Sequence, residues 1–273
     1  MSQTISAQDR GFLLGDGVFD TLAVLNRTPL LLEAHISRLV RHAAVVQIEA
    51  DATLIRQTIL KCMGDFSGQD CIIRTTLTRG VAVRGLWPKE TCKPTLVCHA
   101  APFDRAIIGT PATLIVSATA RNETSPTTRI KSLGYLDNVL AAREAALAGF
   151  DDALFLNTKG KLACSTIGNV FVLEGDHLLT PPREDGALDG IIRAVLLNNP
   201  PERFRVFEKS LTLEQALNAD ALLITNSVRL ARPVTRLHGR VFEPVAAHHL
   251  VLSHLQAFLF APSSIPQILV SPA

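Results

Sequence analysis

A polar, turn-rich segment, ATARNETSPTT at residues 118–128, divides this chain into two stretches that must each build a core of their own. This composition is typical of a linker between domains, because it offers too few apolar side chains to lie inside a core. The chain has 273 residues, of which 47% are hydrophobic, and is long enough for two cores. We therefore predict a small domain of residues 1–118 and a larger one of residues 119–273, with the linker at about residues 117–128.

The first stretch combines strand patterns with one helix pattern. Its β-branched and aromatic runs predict strands, and apolar residues at helical spacing predict a helix. The predicted strands are Gly17–Leu25, Leu30–Leu32, Cys71–Leu77 and Thr95–Ala100, with a turn at Asn26-Arg27 and a helix at Ala34–Val46. Such a combination indicates a small α+β domain.

The second stretch interleaves helices with hairpins. Leu133, Leu136, Leu140 and Leu147 recur on one face of a predicted helix, and Gly149 follows it as a C-terminal cap. Turn residues predict hairpins at 153–164 and 170–180, and further helices are predicted near residue 190, after the Thr212/Gln215 capping box and at Ala246–Phe260. The whole chain is thus predicted to be a mixed α/β protein.

Charge, cysteine and hydropathy patterns exclude several classes of protein. The formal net charge of +2 comes from scattered Lys and Arg, and without a basic run we expect no nucleic-acid partner. The five cysteines show no CxxC spacing, so we predict no metal site and a reducing, cytoplasmic location. The N-terminus lacks a signal-peptide pattern and no run of about 18 apolar residues occurs, so we expect no membrane partner.

Lys131, in the segment TTRIKSLGYL, is a candidate nucleophile. It precedes a helix predicted to start near Leu133, and nearby positive groups together with a helix N-terminus disfavour the ammonium form. This lowers the pKa of the lysine and frees its amine to form a Schiff base with a carbonyl compound. The alternative is a solvated surface lysine, as most lysines are.

Three other places could bind an anion such as phosphate. Gly190 opens a predicted helix, whose first backbone N–H groups have no partner within the helix. Thr225, Asn226 and Ser227 lie at the end of the predicted strand Ala221–Ile224 and carry polar groups that can donate hydrogen bonds. Arg38, on the first predicted helix, offers a forked donor. Each of these features also fits an ordinary turn or a solvated arginine.

Several motifs, in their order along the chain, resemble those of the class IV aminotransferases. They are DRGFLLGDGVFDTL (9–22), AHISRL (34–39), TRIKSLGYLDNVLA (128–141), GNVFVLEGDHLLTPP (168–182), LDGIIR (188–193) and ITNSVRLARPV (224–234). The family includes branched-chain aminotransferases, D-amino acid transaminases and 4-amino-4-deoxychorismate lyases. The resemblance implies the two-domain fold type IV of pyridoxal-phosphate enzymes, with a small N-terminal α+β domain, a larger mixed C-terminal domain and assembly as a homodimer.

The resemblance also implies roles for individual residues. Lys131 would bind the cofactor, pyridoxal 5′-phosphate, covalently and move the proton at the substrate's Cα. The other implied cofactor-binding residues, most of them at the phosphate, are Arg38, Asn169, Gly190, Ile191, Ile192, Asn226 and Ser227. Ile192 stands where most of the family has a threonine, so one hydroxyl donor is missing.

Cys164 also departs from the family pattern. A glutamate usually occupies this position and forms an ion pair with the protonated pyridine nitrogen of the cofactor. A carboxylate there makes the ring a strong electron sink, whereas a thiol with a pKa of about 8.5 does so poorly. Cys164 would then contact the cofactor with a weaker effect, or it is a small buried strand residue.

Positions that face the substrate in this family favour a lyase over a transaminase. Thr21 and Arg84 match the lyases, whereas the Tyr, Arg and His set of D-amino acid transaminases is replaced by Phe19, Arg84 and Leu86. We therefore predict 4-amino-4-deoxychorismate as substrate, p-aminobenzoate and pyruvate as products, and Arg84 and Arg229 as candidates to hold the substrate carboxylate. The alternatives are a transaminase of D- or branched-chain amino acids and a non-catalytic binding protein of the same fold.

Overall fold

The computed structural model describes residues 4–88, 92–243 and 246–260. Contacts divide the chain into two compact units. The first extends to Asp104 and also takes in Ile130–Gly134, and the second contains Arg105–Arg129 and the chain from Tyr135 onward. This division falls earlier than the predicted boundary at residue 118, because the strand Ala112–Val116 pairs with strands of the second unit.

The first unit is a four-stranded antiparallel sheet with three helices. Its strands are β1 (Gly17–Leu25), β2 (Thr28–Pro29), β3 (Cys71–Thr78) and β4 (Thr95–Pro102), in the order β2-β1-β3-β4. Its helices are α1 (Arg10–Leu14), α2 (Leu32–Val45) and α3 (Ala52–Asp65). α2 packs on β1, and α3 packs on β3 and β4.

The two faces of this sheet have different roles. Side chains alternate across a strand, so each strand presents one row of residues to the helices and one to the other face. Val18, Leu22 and Ile73 lie in the core with apolar residues of α2 and α3. Phe19 and Thr21 alternate with the core residues of β1 and therefore lie on the opposite face.

Most of the strands predicted for this unit are confirmed to within two residues. Asn26 and Arg27 both have positive φ, 49° and 58°, as the central residues of a tight hairpin turn. The predicted strand Leu30–Leu32 is wrong, because Leu31 adopts a left-handed conformation with φ of 51° and α2 begins at the next residue. The sequence analysis does not predict α3.

The second unit is built on a nine-stranded mixed sheet. Its strands are β5 (Ala112–Val116), β6 (Asp152–Leu156), β7 (Leu162–Ser165), β8 (Asn169–Glu174), β9 (His177–Thr180), β10 (Arg205–Glu208), β11 (Ala221–Asn226), β12 (Leu230–Leu237) and β13 (Arg240–Val241). They follow the order β10-β9-β8-β11-β12-β5-β6-β7, with β13 paired to β12. The helices are α4 (Leu136–Leu147), α5 (Ile191–Asn198), α6 (Leu213–Asn218) and α7 (Ala246–Phe260).

Most helix predictions for this unit are confirmed. Gly190 is the N-cap of α5, and Thr212 and Gln215 form the predicted capping box of α6. α7 has the predicted bounds, and Gly149 follows α4 with φ of 74°. None of the described helices is both long and apolar enough to cross a membrane.

Helix α4 differs from its prediction in the face that it buries. It begins at Leu136, later than predicted, and buries the small residues Ala141 and Ala145. The predicted apolar face is exposed instead, since Leu136, Leu140 and Leu147 are 75%, 54% and 78% exposed. Only small side chains fit where α4 packs against β6, so the leucines remain available for another surface.

Candidate active site

Lys131 lies in the segment Ile130–Gly134, which pairs with β1 within the first unit. The backbone N–H of Phe19 donates a hydrogen bond to the carbonyl of Lys131 at 2.9 Å, and the backbone N–H of Lys131 donates to Nδ1 of His42, on α2, at 3.0 Å. The side chain is half-buried, and its Nζ is 4.5 Å from the centre of the Phe19 ring. A strand and a helix of the first unit therefore hold the lysine, rather than the start of α4.

A buried carboxylate, Asp20, anchors two basic residues of α2, the helix that carries His42. Nε and Nη2 of Arg38 donate to Oδ2 and Oδ1 of Asp20, each at 2.8 Å, and Nδ1 of His35 lies 2.7 Å from Oδ1. All three side chains are buried. Burial opposes the ionisation of Asp20, but Arg38 and His35 outweigh it and hold the pKa of this carboxyl far below its usual value.

The surroundings of His35 favour its neutral form. Burial lowers the pKa of His35 although Asp20 opposes the shift, so the ring donates its Nδ1 proton to the carboxylate. Arg38 is held by Asp20 in a two-pronged ion pair, and its contact with a cofactor phosphate remains a prediction. The sequence analysis does not identify Asp20, His35 or His42. The available signal was Asp20 itself, a charged residue in the middle of an apolar strand.

The opposite face of the sheet carries a second polar group. The guanidinium carbon of Arg74, on β3, lies 3.6 Å from the centre of the Phe19 ring, the same ring that Nζ of Lys131 approaches. Arg74 is exposed and lies opposite Thr21 in the register of β1 and β3. Three predicted site residues, Phe19, Thr21 and Lys131, therefore come together, and Arg74 joins them although the sequence analysis does not single it out.

Arg84 is on the exposed loop that follows β3. It borders an open depression of about 980 Å³ in the first unit, whose lining also includes Arg10, Leu13 and Leu86. Leu86 occupies the third of the predicted substrate-facing positions. The depression therefore combines two guanidinium groups with apolar side chains.

In the second unit, the residues predicted to bind phosphate gather at the start of α5. Gly190 caps this helix without a side chain, so the first backbone N–H groups, those of Ile191 and Ile192, receive no side-chain acceptor from the cap. A Cβ atom on residue 190 would lie 1.9 Å from Oδ1 of Asn169, so any other residue there would displace the Asn169 side chain. Nδ2 of Asn169 donates to the carbonyl of Leu188 at 2.8 Å, which fixes this side chain against the start of the helix.

Strand β11 brings a further donor to the same place. Thr225 pairs with Asn169 in the register of β8 and β11, so their side chains lie on one face of the sheet. Oγ1 of Thr225 is buried and has no hydrogen-bond partner among the described residues. Oδ1 of Asn226 accepts from two backbone N–H groups of the following turn, at 3.0 and 2.7 Å. Asn226 therefore organises the turn that carries Ser227 and Arg229.

Comparison with known proteins identifies the family that has these features. The family model described as "Amino-transferase class IV" matches residues 17–237. The chain belongs to the class IV aminotransferase family. It is 33% identical to the "Putative branched-chain-amino-acid aminotransferase" of Methanocaldococcus jannaschii, over 87% of this chain and 84% of the relative. It is 30% identical to the aminodeoxychorismate lyase of Bacillus subtilis, over 85% of this chain and 81% of the relative.

A solved structure agrees with this assignment. The crystal structure of a "Putative 4-amino-4-deoxychorismate lyase" from Legionella pneumophila matches with a TM-score of 0.86 at 30% identity, over 94% of this chain and 96% of that chain. The fold is therefore the mixed α/β fold type IV of this family, as the motifs predicted. The likeness extends over both units rather than over one of them.

Class IV aminotransferases use pyridoxal 5′-phosphate, and residues of this chain fit that group. The uncapped start of α5 and the unpartnered Oγ1 of Thr225 are donors of the kind that a phosphate requires. Lys131 has the primary amine that the cofactor's aldehyde requires. Ile192 is buried and can contribute only its backbone N–H, so Thr225 is the hydroxyl that this family member offers near α5.

Cys164 lies in the core of the second unit. It lies on β7 opposite Phe155 of β6 and packs in an apolar cluster that includes Ala141 and Ala145 of α4. Its side chain is buried. The family's usual glutamate at this position would add a carboxylate next to that cluster.

Proposed function

We propose that this class IV family member is a pyridoxal-phosphate-dependent lyase that converts 4-amino-4-deoxychorismate to p-aminobenzoate and pyruvate. The observation that carries the proposal is the group formed by Lys131, Phe19 and Arg74, in which an amine and a guanidinium contact one buried ring beside Thr21. Such a group combines a base for proton transfer with a cation that can bind a carboxylate. Both are needed when a carboxylate-bearing substrate loses a proton.

Several residues are candidates to hold the cofactor. Lys131 would bind it covalently, and the backbone at the start of α5, with Thr225 and Ser227, would bind its phosphate. Arg38 is a further candidate for the phosphate, and Thr225 would supply the hydroxyl that Ile192 lacks. When bound, pyridoxal 5′-phosphate withdraws electrons from the amino-bearing carbon of the substrate and makes its hydrogen acidic.

The chain's own residues would then perform the proton transfer and hold the substrate. The ε-amine of Lys131 accepts the proton from the amino-bearing carbon of the substrate. The substrate carries two carboxylates, one on its ring and one on its enolpyruvyl group. Arg74 and Arg84 each offer a forked donor for one of them, and Arg229 is a further candidate. Cleavage of the ether C–O bond then releases enolpyruvate, which takes up a proton to become pyruvate, and leaves an aromatic ring.

The thiol at Cys164 favours elimination over transamination. A neutral thiol places no negative charge near the cofactor's ring nitrogen, so the cofactor withdraws electrons less strongly than with a glutamate. Formation of an aromatic ring drives the elimination and compensates for a weaker electron sink. Transamination has no such driving force and would be slowed.

A transaminase is the second candidate. It is supported by the 33% identity to the Methanocaldococcus jannaschii relative that is named as a branched-chain aminotransferase. Its substrate would be a D- or a branched-chain amino acid, and it would use Lys131 and the same phosphate-binding residues. The two reactions differ in whether the cofactor keeps the amino group at the end of one turnover.

Release of p-aminobenzoate from 4-amino-4-deoxychorismate tests the proposal. We expect product with the wild-type protein and none with Lys131→Ala, and mixing with D-alanine or L-leucine should leave the cofactor spectrum unchanged over seconds. Rapid conversion of the cofactor to its amine form by an amino acid, without p-aminobenzoate from the first substrate, would establish the transaminase instead. A protein that stays colourless with pyridoxal 5′-phosphate would exclude both and favour a non-catalytic binding protein.

We further propose that the protein is a homodimer, with the leucines of α4 in the interface. Leu136, Leu140 and Leu147 are more than half exposed along one helix, and an apolar surface of this kind is typical of subunit contacts. Leu140→Glu should shift the molar mass measured by light scattering from two chains toward one. Leu54→Glu, on α3 at 51% exposure, is the matched control and should leave the mass unchanged. A monomeric wild-type protein would contradict the proposal.

A further inference from the structure

Three short motifs of the first unit have no part in the chemistry proposed above. They are Asp9-Arg10-Gly11, Gly15-Asp16-Gly17 and Thr78-Arg79-Gly80. All three meet at the base of the loop that follows β3. The backbone N–H of Arg10 donates to the carbonyl of Gly80 at 2.9 Å, and the backbone N–H of Arg79 donates to the carbonyl of Asp16 at 3.1 Å. The start of the chain and the base of this loop are therefore joined.

One carboxylate holds both arginines of this network. Oδ2 of Asp16 accepts hydrogen bonds from Nε of Arg10 and from Nε of Arg79, each at 2.8 Å. Burial opposes the charge on Asp16, but the two arginines outweigh it and lower the pKa of the carboxyl. Other donors of Arg79 reach the carbonyls of Val46 and Gln47 at 2.6 and 2.9 Å, which ties the network to the end of α2.

The outer donors of Arg10 reach the loop itself. Nη1 donates to the carbonyl of Gly85 at 2.7 Å, and Nη2 donates to the carbonyl of Leu86 at 2.5 Å. Arg10 is buried, whereas Leu86 and Trp87 are 84% and 64% exposed, so this part of the loop has little packing of its own. Two hydrogen bonds from one buried guanidinium thus fix the carbonyls of the two residues that follow Arg84.

We propose that Arg10 is a positioning residue for substrate binding. Held by Asp16, it fixes Gly85 and Leu86 so that the guanidinium of Arg84 is presented to a substrate carboxylate. The inference rests on the proposed function, in which Arg84 binds that carboxylate. Arg10 and Arg84 line the same depression, so the positioning residue lies at the site where Arg84 would bind the substrate. A preformed loop loses less conformational entropy when the substrate binds.

The variant Arg10→Lys separates positioning from a purely structural role. Lysine keeps the positive charge near Asp16, but its three donors lie on one nitrogen and cannot span the acceptors that Nε, Nη1 and Nη2 of Arg10 reach separately. We expect KM for 4-amino-4-deoxychorismate to rise by about tenfold or more, with a smaller change in kcat and an unchanged cofactor spectrum. A purely structural role would lower the melting temperature and the amount of active protein while KM stays the same.

Trp87 reports on the loop independently of activity, because it is the only tryptophan of the chain. In Arg10→Lys its fluorescence anisotropy should fall and its quenching by acrylamide should increase. Arg56→Lys is the matched control, since Arg56 pairs with the exposed Glu33 on the same unit and should alter neither signal nor KM. Unchanged Trp87 signals in Arg10→Lys would overturn the inference. Should that variant fail to fold, Asp16→Asn removes the carboxylate that holds Arg10 and is judged by the same signals.

A double-mutant cycle links the loop to the substrate. Arg84→Gln alone should raise KM. Adding Arg10→Lys to it should raise KM no further, because both substitutions remove the same contact, that between Arg84 and the substrate carboxylate. Additive effects would overturn the inference. If Arg84→Gln raises KM and Arg10→Lys does not, the positioning role alone is wrong. If Arg84→Gln leaves KM unchanged, the Arg84 assignment in the proposed function is wrong, and the inference falls with it.

Discussion

At the scale of single residues, Lys131 owes its position to groups that are distant from it in the sequence. His42 accepts the hydrogen of its backbone amide, and Phe19 donates to its carbonyl and contacts its amine. Asp20 holds His35 and Arg38 on the helix that also carries His42. The charge of one buried carboxylate therefore stabilises the helix that supports the candidate nucleophile.

Acid should destabilise the first unit in two stages. The pKa of His35 is lowered in the folded protein from its ordinary 6.5, so below about pH 6.5 the unfolded chain binds a proton that the folded chain excludes, and stability falls as the pH falls. The pKa of Asp20 is also lowered, so its contribution is complete above its ordinary 3.8 and is lost as the pH falls below that value. The free energy of unfolding, measured with urea between pH 3 and pH 8, should show the contributions of both residues. His35→Gln should flatten the slope just below pH 6.5, and an unchanged slope would contradict this assignment.

Replacing Thr225 with valine should weaken cofactor binding without weakening the fold. Valine keeps the shape of the side chain, and the lost hydroxyl has no hydrogen bond in the described part of the chain. A hydrogen bond to a charged group contributes about 1.5–3 kcal/mol, so the affinity for pyridoxal 5′-phosphate should fall by about tenfold or more in an absorbance titration. Thr180→Val is the control, because Oγ1 of Thr180 donates to the carbonyl of Val170 at 2.9 Å. Thr180→Val should lower the free energy of unfolding and leave the affinity for pyridoxal 5′-phosphate unchanged. A loss of affinity in Thr180→Val but not in Thr225→Val would count against a phosphate site at Thr225.

Some site residues could be identified from the sequence and others could not. Lys131 and Gly190 stand in motifs whose chemistry depends on a local feature, a primary amine or an uncapped helix start. Asp20 and Arg74 depend on which residue lies opposite them or packs on their strand, and register between distant strands cannot be derived from one sequence. The sequence indicates Thr225 as a candidate phosphate donor, but it does not show that the hydroxyl is buried without a partner among the described residues. An exposed strand arginine such as Arg74 also resembles an ordinary surface residue.

At the scale of secondary structure, the start of α5 depends on the absence of a side chain at Gly190. Gly190→Ala would place a Cβ 1.9 Å from Oδ1 of Asn169, so the Asn169 side chain would have to move and give up its hydrogen bond to the carbonyl of Leu188. We expect a loss of about 1–3 kcal/mol in the free energy of unfolding together with weaker cofactor binding. Gly64→Ala is the matched control, because nothing lies within 4 Å of the added atom on α3, and it should stabilise the protein slightly. Equal effects of the two substitutions would show that Gly190 and Asn169 are not tightly packed at the start of α5.

Elements with local signals were predictable and those shaped by packing were not. The capping box of α6 and the bounds of α7 follow from cap residues and apolar periodicity. The segment Leu30–Leu32 has strand-like composition, but the left-handed Leu31 ends the hairpin and starts α2. The leucines of α4 have the spacing of a core face, yet the helix packs through alanines. The periodicity of the leucines predicts an apolar face on α4, but it does not show whether the core of the same unit or another surface covers that face.

At the scale of the whole molecule, the chain passes from the first unit to the second, returns for Ile130–Gly134 and leaves again. The polar segment predicted as a linker at about residues 117–128 lies within the second unit, and composition cannot show that the next five residues return to the first. That return matters because it places Lys131 with Phe19 and His42 of the first unit, while the candidate phosphate donors at α5 and β11 belong to the second. The family assignment, by contrast, follows from motifs spread over the whole chain.

The most direct test of this account is to locate the residue that binds the cofactor. The purified protein with pyridoxal 5′-phosphate should absorb at about 420 nm, and borohydride should remove that band and fix the cofactor to one lysine. Peptide mass mapping of the reduced protein should find the added mass on Lys131, and Lys131→Ala should show neither band nor label. A label on another lysine, such as the exposed Lys159, or a band that survives in Lys131→Ala would contradict the account.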